Sequence, residues 1–219
     1  MEVEHKEVNE KITGSKQSLT DDDFFLKELH SSEKWPAFLQ TAVEKKRTIV
    51  ICGETGSGKT VLTRALLKSL HKDERVIILE DVHEVTVDHV VEAVYMMYGD
   101  AGKIGRVSAT DALRACMRLT PGRIIMTELR DDAAWDYLKA LNTGHPGGVM
   151  STHANSARDA FNRIGLLIKA TPIGRMLDMS DIMRMLYSTI DVVVHMEKRK
   201  IKEIYFDPEY KMQCVNGSL

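Results

Sequence analysis

Gly53-Glu54-Thr55-Gly56-Ser57-Gly58-Lys59-Thr60 decides the reading of this chain, because an apolar run from Thr48 to Cys52 enters it and a periodic segment from Thr60 to Leu70 leaves it. A G-x-x-x-x-G-K-[ST] stretch between a strand and a helix is a phosphate cradle. The glycines let backbone amides converge on phosphate oxygens with no Cβ in the way, and the helix that follows adds its positive end. Gly53, Glu54, Thr55, Gly56, Ser57, Gly58, Lys59 and Thr60 are therefore all candidate nucleotide-binding residues. Lys59 is expected to reach the β and γ phosphates of ATP, and the Thr60 hydroxyl to sit on Mg²⁺.

Working outward, Val76–Leu79, Arg123–Thr127, Gly148–Thr152 and Asp191–His195 read as further buried strands. Their alternation with helical segments predicts an α/β fold with a mostly parallel central sheet flanked by helices. Ser108-Ala-Thr-Asp111 and Ser156-Ala-Arg-Asp159 have capping-box spacing, so each is expected to start a helix. Ala134, Leu138 and Leu141 form an apolar stripe that ends at Gly144, which suits a helix terminus. Apolar residues from Phe24 to Leu39, with Pro36 among them, predict a helical lead-in. Residues 1–20 are polar and aperiodic and read as a linker or flexible arm, leaving 21–219 as one domain.

A cradle names a ligand, not a reaction. Val76-Ile-Ile-Leu-Glu80-Asp81 and Arg123-Ile-Ile-Met-Thr-Glu128 each put carboxylates just past an apolar strand, at the edge where open α/β sheets bind ligands. One is expected to hold Mg²⁺ or its water shell, the other to position or deprotonate an attacking water. His145 and His153 flank the Gly148–Thr152 strand, each read alone as a structural histidine. Arg114 and Arg118 share a helical face, which fits either solvent or a role at phosphates or a subunit contact. Met176, Met179, Met183 and Met185 read as pliable core rather than a docking surface.

The formal net charge of −2 over 219 residues gives no surplus of cations for counterion release, so no direct nucleic-acid binding is expected. Cys52, Cys116 and Cys214 are few, odd in number and far apart, so neither a disulfide framework nor a C-x-x-C zinc site is read from them. No apolar run reaches the ~18 residues that cross a bilayer, and Met1 leads into charged residues, so a soluble, unexported protein is expected.

Together these residues resemble the secretion ATPase superfamily, and most of all the traffic ATPases of bacterial type IV secretion and conjugation systems. The resemblance runs from about Asp21 to the C-terminus. It is carried by the P-loop, an acidic box in Leu79-Glu80-Asp81-Val82-His83-Glu84, Thr127-Glu-Leu-Arg-Asp-Asp, Ala140-Leu-Asn-Thr-Gly-His-Pro-Gly-Gly and Ser151-Thr-His-Ala-Asn-Ser-Ala-Arg. It implies a RecA-like ATPase core working as a homohexamer at the cytoplasmic face of the inner membrane, with other secretion components as partners. By the same resemblance Glu80 is the expected catalytic carboxylate, with Glu84 as competitor. Glu128 joins the Mg²⁺ and water network, His153 senses the γ-phosphate, and Arg118 or Arg114 acts near the nucleotide. Members of the family usually carry a separate N-terminal domain, and by the resemblance this sequence is expected to begin in the linker after it, either as the C-terminal part of a longer chain or with that domain supplied by another chain. The cysteines exclude the zinc insert of type II secretion ATPases. A pilus-retraction motor fits the same motifs. A small-molecule kinase or a nucleotide-regulated assembly module fits the P-loop alone.

Overall fold

The computed structural model describes residues 16–99, 107–130 and 133–217. The expected arm before residue 16, and Asp131 and Asp132 of the Thr127 motif, lie outside the described residues. Thr20 caps the first helix, α1 (Asp21–Ser31), in a reciprocal capping box with Asp23. α2 (Trp35–Glu44) follows with Pro36 in its first turn, where the missing N–H costs nothing.

Seven strands form one sheet in the order β3-β2-β4-β5-β1-β6-β7. They are β1 (Ile49–Gly53), β2 (Arg75–Glu80), β3 (Glu92–Met97), β4 (Arg123–Met126), β5 (Val149–Thr152), β6 (Val192–Glu197) and β7 (Lys200–Phe206). All pairings are parallel except β6 with β7. The fold is the expected mostly parallel α/β sheet, and the five strands read from sequence are its five inner ones, β2, β4, β5, β1 and β6.

Side chains alternate between two cores, as a period of two requires. Val50, Cys52, Ile77, Leu79, Ile124, Met126 and Met150 face α4 (Ala109–Met117), α5 (Ala134–Asn142), α6 (Ala157–Ala170) and α7 (Met179–Thr189). Ile49, Ile51, Ile78, Ile125, Val149 and Val194 face α1, α2 and α3 (Lys59–Leu67). Ser108 and Ser156 cap α4 and α6 by accepting from the Asp111 and Asp159 amides, as their spacing predicts. Pro208–Asn216 closes the described chain as α8. Among the described residues no helix is long and apolar enough to cross a membrane.

The three cysteines are free and buried, and burial pushes the Cys52 and Cys116 thiols up to about 12. The methionine stripe divides. Met183 and Met185 pack against the core, and the Met183 sulfur lies 3.2 Å from where a Cβ on Gly165 would stand, whereas Met176 is 80% exposed. Met183→Lys is therefore expected to lower Tm by roughly 5 °C, since the ammonium must snorkel out of a packed helix contact. Met176→Lys is expected to leave Tm unchanged. Equal melting temperatures for the two variants would refute the division.

Candidate functional site

Parallel strands bring their carboxyl ends to one edge, so Gly53, Glu80, Glu128 and His153, each at or just past a strand end, meet there. The P-loop turns between β1 and α3 through left-handed Gly56 (φ 77°) and Gly58 (φ 99°). Gly53 is required for a different reason: a Cβ there would stand 2.3 Å from the Met196 carbonyl oxygen. Helix α3 starts from Gly58 with no side-chain cap, so its first-turn amides face the loop. The Ser57 hydroxyl is buried and has no hydrogen-bond partner among the described residues. A cradle with uncapped amides and an unpartnered buried hydroxyl fits a phosphate.

Lys59 folds back into this hollow, donating to the Gly53 and Glu54 carbonyls at 2.8 and 2.9 Å. Burial lowers its pKa, and the Glu128 charge partly opposes that. Glu128 is the hub of the edge. Its carboxylate accepts from Arg130 at 3.1 Å and lies 3.6 Å from His153 Nε2, while its backbone carbonyl accepts from the Tyr98 hydroxyl at 2.8 Å. Arg130 also pairs with Asp81, and the hydrogen bond to Glu128 helps raise its pKa. Arg130 was not among the residues expected from sequence. Its signal was present, because in Thr127-Glu-Leu-Arg130 it stands two positions after Glu128, the spacing that puts both on one side of an extended chain.

The two acidic-box glutamates differ sharply. Glu80 is fully buried, and its carboxylate accepts from the Glu84 and Val85 amides at 3.2 and 3.0 Å and meets His83 Nδ1 at 2.9 Å. It thereby closes the loop that follows β2. Strands stand ~4.8 Å apart, so β5 with His153 neighbours β1, β4 with Glu128 is ~10 Å away, and β2 with Glu80 is ~14 Å away. Glu84 is exposed, and its carbonyl accepts from Arg64 of α3 at 2.7 Å, which ties its segment to the P-loop helix.

Arg118 does not join this cluster. It caps the C-terminus of α4, and the next residue's carbonyl accepts from Arg75 at the start of β2, at the opposite edge of the sheet. Arg114 pairs with Asp136 at 3.5 Å. His145 bonds the Pro121 carbonyl at 2.9 Å, a structural contact. Among the described residues no group of three or more His, Cys, Asp or Glu could hold a metal unaided.

Comparison with known proteins agrees with this geometry. Residues 17–203 match the family model "Type II/IV secretion system protein". The type IV secretion system protein VirB11 of Brucella suis is 37% identical over 205 residues, covering 89% of this chain and 57% of that protein. The type IV secretion system protein PtlH of Bordetella pertussis is 40% identical over 167 residues, covering 75% of this chain and 49% of that protein. The crystal structure of the Brucella suis VirB11 ATPase in complex with sulphate superposes with a TM-score of 0.84 at 35% identity, covering 91% of this chain and 60% of that one. The chain thus spans about half the length of the curated relatives it matches, 57% and 49% for these two. With the P-loop, the Glu128–His153 edge and these matches in agreement, the chain belongs to the type II/IV secretion system protein family and has the RecA-like fold of its secretion ATPases.

Proposed function

We propose that this chain is the ATP-hydrolysing motor domain of a type IV secretion or conjugation apparatus. It works as a homohexameric ring on the cytoplasmic face of the inner membrane, coupled to other secretion components and without direct contact to nucleic acid. Residues 21–219 act as the ATPase domain and 1–20 as a linker. The observation that carries the reading is the convergence of an uncapped, partly unsatisfied P-loop with Lys59, Glu128 and His153 at one sheet edge. The related Brucella suis protein in complex with sulphate supports it, since sulphate has the shape and charge of a phosphate group.

In this reading Gly53 to Thr60 hold ATP. Lys59 gives up two backbone carbonyls for the β and γ phosphates. Mg²⁺, when bound with ATP, offsets the charge that develops on the phosphates, and Thr60 and Glu128 are the residues that would hold it or its water shell. His153, 49% exposed and beside Glu128, senses the γ-phosphate. Arg130 holds the Glu128 carboxylate in place. Within the acidic box we assign the water-facing role to Glu84 and a positioning role to Glu80, which reverses the preference drawn from the resemblance. The physical reason is that Glu80 is buried and engaged by three donors. Arg118, at the far edge, stands away from this protomer's own nucleotide.

Titration with a non-hydrolysable ATP analogue, alongside phosphate release with no acceptor present, tests the reading. Lys59→Ala is expected to weaken binding at least tenfold, about 1.4 kcal/mol, and to abolish turnover. Wild-type affinity in that variant, or phosphate appearing only when a small-molecule acceptor is added, would sink the motor assignment.

A further inference from the structure

The β6–β7 hairpin turns on Lys198 and Arg199, with φ of 49° and 63°, while the flanking Glu197 and Lys200 pair across the ladder. Two central residues with positive φ make a type I′ turn, which favours Asn-Gly because a Cβ in the left-handed region crowds the neighbouring carbonyl. Two long cations stand here instead. Backbone strain of this kind persists where the surroundings hold it, and it gathers at ligand sites.

The surroundings in this case are the P-loop. The Arg199 amide donates to the Ser57 carbonyl at 3.0 Å, and the Arg199 Cα lies 3.4 Å from where a Cβ on Gly58 would stand. The ladder is irregular between His195 and Met196, a feature that re-aims the chain beyond it. Beyond that irregularity, Lys198 lines the same cavity of about 470 Å³ as Glu54, Thr55, Gly56 and Ser57. Its acidic neighbour Glu197 is taken by Lys202 at 3.5 Å, and Lys198 makes no ion pair among the described residues. On the other strand, Glu203 accepts from the Ala157 amide at 3.0 Å, so the hairpin also braces the start of α6 after His153. A triphosphate carries more negative charge than Lys59 and one Mg²⁺ neutralise together, and the exposed Lys198 ammonium at the rim answers that surplus.

We propose that Lys198 is a further nucleotide-binding residue: its ammonium, carried on the strained hairpin tip, contacts the phosphate chain held by the P-loop of the same protomer. The inference rests on the ATP-binding reading above, and its test separates the two. The full chain is titrated with a non-hydrolysable ATP analogue and Mg²⁺ as wild type, Lys198→Gln, the Lys198→Asn/Arg199→Gly double variant and Lys59→Ala. Lys198→Gln is expected to weaken binding about tenfold. The double variant installs the residues the turn prefers, so it is expected to raise Tm by about 2–4 °C while weakening binding to the same degree. A tip that only braced the fold would not lose affinity while gaining stability. If both Lys198 variants bind within about twofold of wild type while Lys59→Ala binds weakly, Lys198 has no role at the phosphates. If Lys59→Ala itself binds like wild type, the ATP reading fails and this inference falls with it.

Discussion

Arg123→Ala is expected to cost about 3–5 kcal/mol of stability, roughly 10 °C in Tm, the largest loss foreseen for any single change away from the P-loop. Arg123 opens β4 with no exposed surface at all. Its guanidinium grips Glu74 through Nε at 2.9 Å and Nη2 at 3.1 Å, and donates to the Gly147 and Val43 carbonyls at 3.2 and 3.0 Å. One side chain thus joins the end of α2 and the segments leading into β2 and β5. Truncation leaves a mostly buried carboxylate and two carbonyls without their donor, and it is the orphaned groups that carry the cost. Arg123→Met with Glu74→Gln, which removes both charges and nearly keeps the volume, is expected to recover the part of the loss that comes from the unpaired carboxylate, while the Gly147 and Val43 carbonyls stay without a donor.

The same pair sets an acid limit. Burial alone would raise the Glu74 carboxyl, but the Arg123 hydrogen bonds and charge, with a smaller contribution from Lys46, outweigh it and hold the pKa below 4.5. A depressed folded-state pKa gives stability that is present above the unfolded value and lost as pH falls through the folded one. The loss therefore starts below about pH 4.5 and is expected to be smaller in Glu74→Gln. Thermal or urea melts of the three variants against pH decide the matter. A loss under about 1 kcal/mol for Arg123→Ala would show that this node is worth no more than a surface ion pair.

What the sequence made legible follows from which interactions are local. The P-loop, the Ser108 and Ser156 caps and the fully buried strands are written in contiguous residues, and each was found where expected. Edge strands are not written that way. β3, Glu-Ala-Val-Tyr-Met-Met, and β7, Lys-Ile-Lys-Glu-Ile-Tyr-Phe, are paired on one side only and mix exposed with half-buried positions, with Ile204 alone buried. Lys198-Arg199 carries no turn signature, because the P-loop and not its own composition holds the turn. Arg123 read as an ordinary strand-start residue, since its partners Glu74, Gly147 and Val43 are distant in sequence. The position of Arg118 was available to reasoning. A helix that crosses back between parallel strands ends at the edge where the next strand begins, so its last turn lies far from the carboxyl edge.

Glu84→Gln is expected to keep Tm and ATP affinity near wild type while kcat falls ~10²-fold or more, the pattern of a group that acts on the water in the transition state. Glu80→Gln is expected to behave differently. Its amide oxygen can still accept from the Glu84 and Val85 N–H groups, but its NH2 then faces His83 Nδ1 where a carboxylate oxygen stood, and both amides lose a charged acceptor, so Tm and turnover fall together, by about 1 kcal/mol in stability. Glu128→Gln weakens the contacts with Arg130 and His153 and is expected to show a steeper dependence of rate on Mg²⁺ concentration. Phosphate release, nucleotide titration and melting on the three variants give three distinct signatures. Were Glu84→Gln to turn over like wild type while Glu80→Gln kept its Tm and lost activity, the water-facing role would return to Glu80. Its carboxylate would then have to be reached by displacing His83, whose side chain is 52% exposed and lies over the Glu80 Oε2.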